Sequence, residues 1–166
     1  MTEEIFDIVN EEGEVIGQAP RSQCHGDPSL LHRVAHVLVF NSRGQLALQL
    51  RGPHKDIQPN RWDTSVGGHF DRGETPEQAA AREMKEELGI EAELTFLYRY
   101  LWRSAVESEL VYTFVCRHDG PLMADPGEIS KVRWWSAEEI DNECGRGALT
   151  PNFELEWQHY NAYVAE

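Results

Sequence analysis

The chain has 166 residues, 40% hydrophobic and 27% charged, a composition that fits a water-soluble globular protein long enough for a real core. A formal net charge of −14 leaves no surplus of Lys and Arg to release counterions, which argues against nonspecific binding along a nucleic-acid backbone. No apolar run approaches the ~20 residues of a membrane span, and three widely spaced cysteines, Cys24, Cys116 and Cys144, make no disulfide framework.

The N-terminus, Met1-Thr2-Glu3-Glu4, lacks the basic start of a signal peptide, so the default expectation is a cytoplasmic location. Without repeats, low-complexity tracts or linkers, residues 1–166 are expected to form one domain. Residues 5–18 read as a hairpin with a turn at Asn10 to Gly13. His32 to Phe40 is strongly strand-like, and the turn Asn41-Ser42-Arg43-Gly44 leads into an alternating strand from Gln45 to Arg51. Residues 52–60 carry two prolines and read as a loop. Arg61 to Val66 predicts a short strand entering Gly67-Gly68, where a tight turn is expected.

A helix follows. Thr75 and Gln78 form a capping-box pattern, Pro76 suits the first helical position, and Gly89 suits the stop. At about 100° per residue, Glu83, Glu86 and Glu87 share an arc of roughly 100°. Ala80, Ala81, Met84 and Leu88 are expected on the neighbouring apolar arc. Beyond the helix, Ala92 to Trp102 and Leu110 to Arg117 predict an antiparallel pair joined by residues 104–108. Residues 121–127 read as loop, Lys131 to Trp135 as strand, and Ser136 caps a short helix from Ala137 to Asn142. After a loop at residues 144–147, a last helix is expected over about 151–164. This order predicts a mixed sheet flanked by helices.

Three carboxylates on one helix face repel by a few tenths of a kcal/mol per pair unless a cation joins them, and Mg²⁺ is typically held by carboxylates together with substrate phosphate oxygens. From Gly68 to Ile90 the run reads Gly, five residues, Glu74, seven residues, Arg82-Glu83, an apolar residue, any residue, Glu86-Glu87, any residue, Gly89, an apolar residue. This pattern, residues 68–90, resembles the Nudix box, the signature of the Nudix hydrolases. The resemblance implies an α/β (α+β) fold, the α/β/α sandwich with a mixed central sheet. It assigns Glu83, Glu86 and Glu87 to Mg²⁺ or Mn²⁺, adds the Gly68 carbonyl as a further ligand, and places Glu74 near the same metal. Arg82 would hold a box glutamate by a charge-assisted hydrogen bond.

Outside the box the chain resembles a narrower branch, the isopentenyl diphosphate isomerases and their hydrolase relatives. The matching positions are His25, His32, His69, Glu107 and Glu109, which in the isomerases hold a second metal, and Arg51 and Lys55, which contact diphosphate there. Imidazoles with carboxylates suit Mn²⁺, Zn²⁺ or Fe²⁺. Two departures bear on the chemistry. Gly67 stands where the isomerases carry a cysteine, and Glu83 stands where they typically carry a basic residue. An isomerase protonates one carbon and deprotonates another, and that proton relay lacks a partner here.

The expected activity is therefore hydrolysis of a nucleoside diphosphate-linked or related organic diphosphate, a small-molecule substrate, with a homodimer as a common family arrangement. Two alternatives stand beside it: an isomerase using a different acid, and a non-catalytic nucleotide-binding module on the same scaffold. Trp62, Trp102, Trp134, Trp135, Tyr98, Tyr100 and Phe70 are candidates to stack a base, although strand aromatics more often fill a core.

Overall fold

Residues 3–55, 58–127 and 129–166 are described by the structure, a computed structural model. In chain order the elements begin with β1 (Ile5–Val9), β2 (Val15–Pro20), the single-turn α1 (Arg21–Cys24), β3 (Leu31–Phe40) and β4 (Leu46–Arg51). There follow β5 (Trp62–Asp63), β6 (Val66–His69), α2 (Pro76–Leu88), β7 (Thr95–Arg103) and β8 (Ser108–Arg117). The chain closes with β9 (Ile129–Trp135), α3 (Ala137–Glu143) and α4 (Pro151–Val164).

The strand β3 organises the rest. It pairs in parallel with β8 from Leu31↔Ser108 to Phe40↔Arg117, and antiparallel with β6 from Val34↔His69 to Val37↔Val66. Both parallel and antiparallel ladders thus meet on one strand, and β9 joins through β4 and β7 through β8. Side chains of β3 alternate between the two faces. Ala35, Val37 and Val39 meet Ala79, Ala80, Met84 and Leu88 of α2. Leu38 meets Ile140 of α3 with Phe153 and Trp157 of α4, while Val34 faces Leu155 of α4. Helices therefore cover both faces of a mixed sheet, which is the expected sandwich. Fully burying a side chain such as Met84 or Leu88 contributes about 2 kcal/mol, and this packing fixes the helix against the sheet.

The N-terminal hairpin forms with a turn built by Asn10, whose Oδ1 accepts from the N–H groups of Glu12 and Glu14 at 3.0 Å each. Asp7 ties it to the body, accepting from Arg33 Nη2 at 3.2 Å and from the Gly73 N–H at 3.0 Å.

Two local expectations are corrected, and one element is added. Gly67-Gly68 is not a turn but the middle of β6, where neither residue has positive φ and both pair with β3. The backbone hydrogen bonds of β3 overrule the usual reading of a glycine pair. On α2 the buried alanines are Ala79 and Ala80, while Ala81 is exposed, because the helix turns its apolar stripe one position earlier. The single turn α1 was not expected, since four residues are too short to carry a helical period.

Candidate active site

The helix α2 is built as its sequence indicates. Thr75 Oγ1 accepts from the Gln78 N–H at 3.2 Å, Gln78 Oε1 accepts from the Thr75 N–H at 3.0 Å, and Gly89 closes the helix at φ +68°. Such a cap contributes about 1 kcal/mol and sets where the glutamates emerge.

Arg82 gathers the acids around it. Its Nε and Nη2 donate to the two oxygens of Glu74 at 2.7 and 2.8 Å, and Nη2 also donates to the His69 carbonyl at 2.9 Å. Nη1 donates to Glu83 at 2.7 Å and Glu86 at 3.3 Å. The bidentate Arg82 grip holds the Glu74 carboxyl below its ordinary range. With both oxygens taken, Glu74 acts on the other acids through the guanidinium.

Glu87 is the most enclosed acid of the set. Its Oε1 accepts from Gln49 Nε2 at 2.8 Å, while its Oε2 is buried with no hydrogen-bond partner. Burial first, and then the neighbouring Glu83 carboxyl, push its carboxyl well above the ordinary range. Burial raises Glu83 too, against the pull of Arg82. Gly68 faces this pair so closely that a Cβ there would stand 2.1 Å from Glu83 Cδ.

A second cluster stands at the start of β3 and β8. The rings of His25, His32 and His69 lie 5.1–5.9 Å apart between centroids, and Phe6 stacks on His32 and His69. His25 Nε2 is 3.3 Å from Glu107 Oε2, and His32 Nε2 is 3.6 Å from Glu109 Oε2. His25 Nε2, both nitrogens of His32, His69 Nδ1 and Glu107 Oε2 are nevertheless buried without a hydrogen-bond partner. One potential ligand atom from each of His25, His32 and His69 lies within 4.8 Å of the others, and the same holds for His32, Glu107 and Glu109. Burial pulls His69 down to about 3 and lifts Glu107 to about 7, so His69 is a neutral imidazole. His25 is placed by α1, whose following loop is pinned where Ser108 Oγ donates to the Pro28 carbonyl at 2.6 Å.

Both clusters open on one cleft of about 730 Å³. Gly68, Arg82, Glu83, Glu86, Glu87, His25, His69, Glu107, Glu109, Arg51 and Lys55 line it. His32 lies below the surface at 0% exposure, and Glu74 does not line the cleft. Arg51 Nη1 is 3.5 Å from Asp63 Oδ2. None of the seven aromatic candidates lines this cleft among the described residues; Phe70, Tyr100 and Trp135 are buried in the core. Sequence reasoning did not single out His36, Gln49, Asp63 and Thr64, which also line the cleft. For His36 and Gln49 the available signal was a polar side chain inside the strands β3 and β4; Asp63 on β5 and Thr64 after it carried none.

Known proteins resemble this chain in sequence and in fold. The NUDIX domain model matches residues 30–153. A Nudix hydrolase of Deinococcus radiodurans is 35% identical over 147 residues, 84% of this chain and 83% of that one. An isopentenyl-diphosphate Delta-isomerase of Nocardia farcinica is 34% identical over 140 residues, 81% of this chain and 80% of that one. The crystal structure of DR0079 from Deinococcus radiodurans superposes with a TM-score of 0.82 at 30% identity, covering 94% of this chain and 98% of that one. Matched over most of its length in sequence, and with the sandwich and the acidic helix in place, the chain belongs to the Nudix hydrolase family.

Proposed function

We propose that the chain is a metal-dependent diphosphohydrolase acting on a nucleoside diphosphate-linked compound or a related organic diphosphate. The observation that carries this reading is the enclosed Glu83–Glu87 pair beside Gly68, both carboxyls held above the ordinary range by burial, with Glu87 Oε2 buried and unpartnered. Enclosed like charges are costly, and a divalent cation removes the cost. Glu83, Glu86, Glu87 and the Gly68 carbonyl would hold Mg²⁺ or Mn²⁺, which supplies Lewis-acid stabilisation of phosphate charge and lowers the pKa of water.

The chain's own residues do the rest. Gln49 fixes one oxygen of Glu87 and leaves the other to the cleft. Arg82 fixes Glu83 and Glu86, with Glu74 holding Arg82 in turn. Arg51 and Lys55 bind the diphosphate from the opposite charge class. A water oxygen bonds to phosphorus as the bridging P–O bond breaks. A carboxylate of the set takes the water's proton, and the leaving phosphate departs with the electron pair.

The histidine cluster favours a second metal and keeps the isomerase reading in view. The unpartnered nitrogens of His25, His32 and His69, with Glu107 and Glu109, fit Mn²⁺, Zn²⁺ or Fe²⁺. Against isomerisation, Gly67 offers no thiol, and none of the three cysteines lines the cleft. Nucleoside di- and triphosphates, nucleotide sugars, dinucleotides and prenyl diphosphates should be screened with Mg²⁺ or Mn²⁺ for phosphate release. We expect turnover of at least one class and a loss of about 100-fold or more in Glu87→Gln, equal to about 2.7 kcal/mol. Full activity in both Glu86→Gln and Glu87→Gln sinks the hydrolase reading. Conversion of isopentenyl diphosphate to its allylic isomer replaces it with the isomerase.

A further inference from the structure

The floor of the cleft holds a charged group that the acidic helix does not explain. His36 lies in the middle of β3 on the face toward α4, and its Nδ1 is 2.9 Å from Glu156 Oε1. Glu156 is completely buried, at 0% exposure. Thr113 Oγ1 donates to it at 2.9 and 3.2 Å, Tyr100 Oη donates at 3.2 Å, and Tyr98 Oη donates as well. These three hydroxyls satisfy the oxygens but carry no charge. His36 is the one basic side chain within ion-pair distance of Glu156 among the described residues.

A fully buried carboxylate needs a counter-charge, so the shared proton belongs on His36 Nδ1. Burial by itself lowers the His36 pKa, but the hydrogen bond and charge of Glu156 outweigh it and leave the imidazole above its ordinary value. Burial raises Glu156 in the same way, and His36, Tyr98 and Thr113 bring it below its ordinary value.

The opposite edge of the ring faces the cleft, which His36 lines. Its Cδ2 and Nε2 lie 3.2 and 3.4 Å from where a Cβ on Gly67 would stand, so the glycine keeps that edge open. Thr64 Cγ2 is 3.4 Å from the same point. Thr64 also lines the cleft, and its Oγ1 is buried with no hydrogen-bond partner. A hydroxyl without a partner and an imidazole edge, on two residues that line the same cleft, mark a place for an anionic ligand oxygen.

We propose that His36 Nε2 and Thr64 Oγ1 donate hydrogen bonds to the substrate's diphosphate, with Glu156 as the positioning residue that fixes the imidazole and its proton from behind. This contact rests on the diphosphohydrolase reading of the cleft. It adds positive charge to the cleft from the sheet face opposite α2, whose carboxylates line the same cleft. It also gives Gly67 a second meaning: the space a side chain would have filled is the approach to His36.

The test uses methylenebisphosphonate, a diphosphate analogue that cannot be hydrolysed, with Mg²⁺ and the intact chain labelled with ¹⁵N at histidine. Two-bond ¹H–¹⁵N spectra near neutral pH should show both His36 nitrogens protonated, and the Nε2 resonance should move as the probe is added. By calorimetry, His36→Gln and Thr64→Val should each weaken the probe about tenfold, equal to about 1.4 kcal/mol. Glu156→Gln should weaken it too and shift the His36 nitrogens toward neutral imidazole, which a merely structural role for Glu156 would not do.

A His36 Nε2 resonance unmoved at saturation overturns the contact, as does His36→Gln binding within twofold of wild type, or wild type failing to bind the probe. If a variant fails to fold, the wild-type spectrum still decides. A wild type that binds the probe and shifts His36 but releases phosphate from no compound overturns the diphosphohydrolase reading and leaves the contact standing.

Discussion

Gly68 lies in an extended strand without positive φ, so its missing side chain matters through space rather than through backbone freedom. A methyl group there would stand 2.1 Å from Glu83 Cδ, 2.3 Å from Oε2 and 2.5 Å from Oε1. Glu83 cannot yield freely, because Arg82 Nη1 holds its Oε1 at 2.7 Å. Gly68→Ala should therefore fold and lose activity by about 100-fold or more, with weaker Mn²⁺ binding, since misplacing a site carboxylate by about 1 Å is costly. Gly67→Ala comes no nearer than 3.2 Å to the edge of His36 and 3.4 Å to Thr64 Cγ2, and should lose less. Steady-state kinetics with Mn²⁺ titration would check both; wild-type turnover and metal affinity in Gly68→Ala would refute the argument. The same residue shows how a sequence misleads locally. A glycine pair reads as a turn on its own, and only the pairing of Ala35 with Gly68 and His36 with Gly67 turns it into strand.

At the scale of elements, α2 was legible because its signals are local: a capping box, a proline at N1, a glycine stop and a 3.6-residue stripe. The residue before its cap also anchors the site, since Glu74 immediately precedes Thr75 and grips Arg82 about two turns along the helix. The cap should be separable from the chemistry. Thr75→Ala removes the hydroxyl that accepts the Gln78 N–H, and should lower the free energy of unfolding by ~1 kcal/mol. Turnover of the folded variant should stay within about twofold, because Arg82 holds Glu74 with two bonds of its own. Urea unfolding followed by circular dichroism tests this, and unchanged stability would show that the cap is redundant with the packing of Ala79, Ala80 and Met84.

Across the whole molecule, what the sequence carried least well is what joins its layers. The carboxylates of α2 lie within five residues of one another, and the histidine and glutamate positions became visible only through resemblance to a family. The bond between His36 and Glu156 spans 120 residues, and no spacing rule reaches that far. It couples the middle of β3 to α4 through the sheet face opposite α2, so its titration should be felt as global stability. The sign follows from each partner. His36 is held above its ordinary 6.5, so its contribution is complete below pH 6.5 and is lost as pH rises through the raised folded value. Glu156 is held below its ordinary 4.5, so its contribution is complete above pH 4.5 and is lost as pH falls through the lowered folded value. Both are complete between pH 4.5 and 6.5. The difference in unfolding free energy between wild type and Glu156→Gln should peak in that window at about 3 kcal/mol and shrink on either side. Taking the difference cancels the other histidines and carboxylates of the cleft, which titrate in both proteins. A difference that is flat from acid to alkaline pH would mean that the pair shares a proton without separating charge.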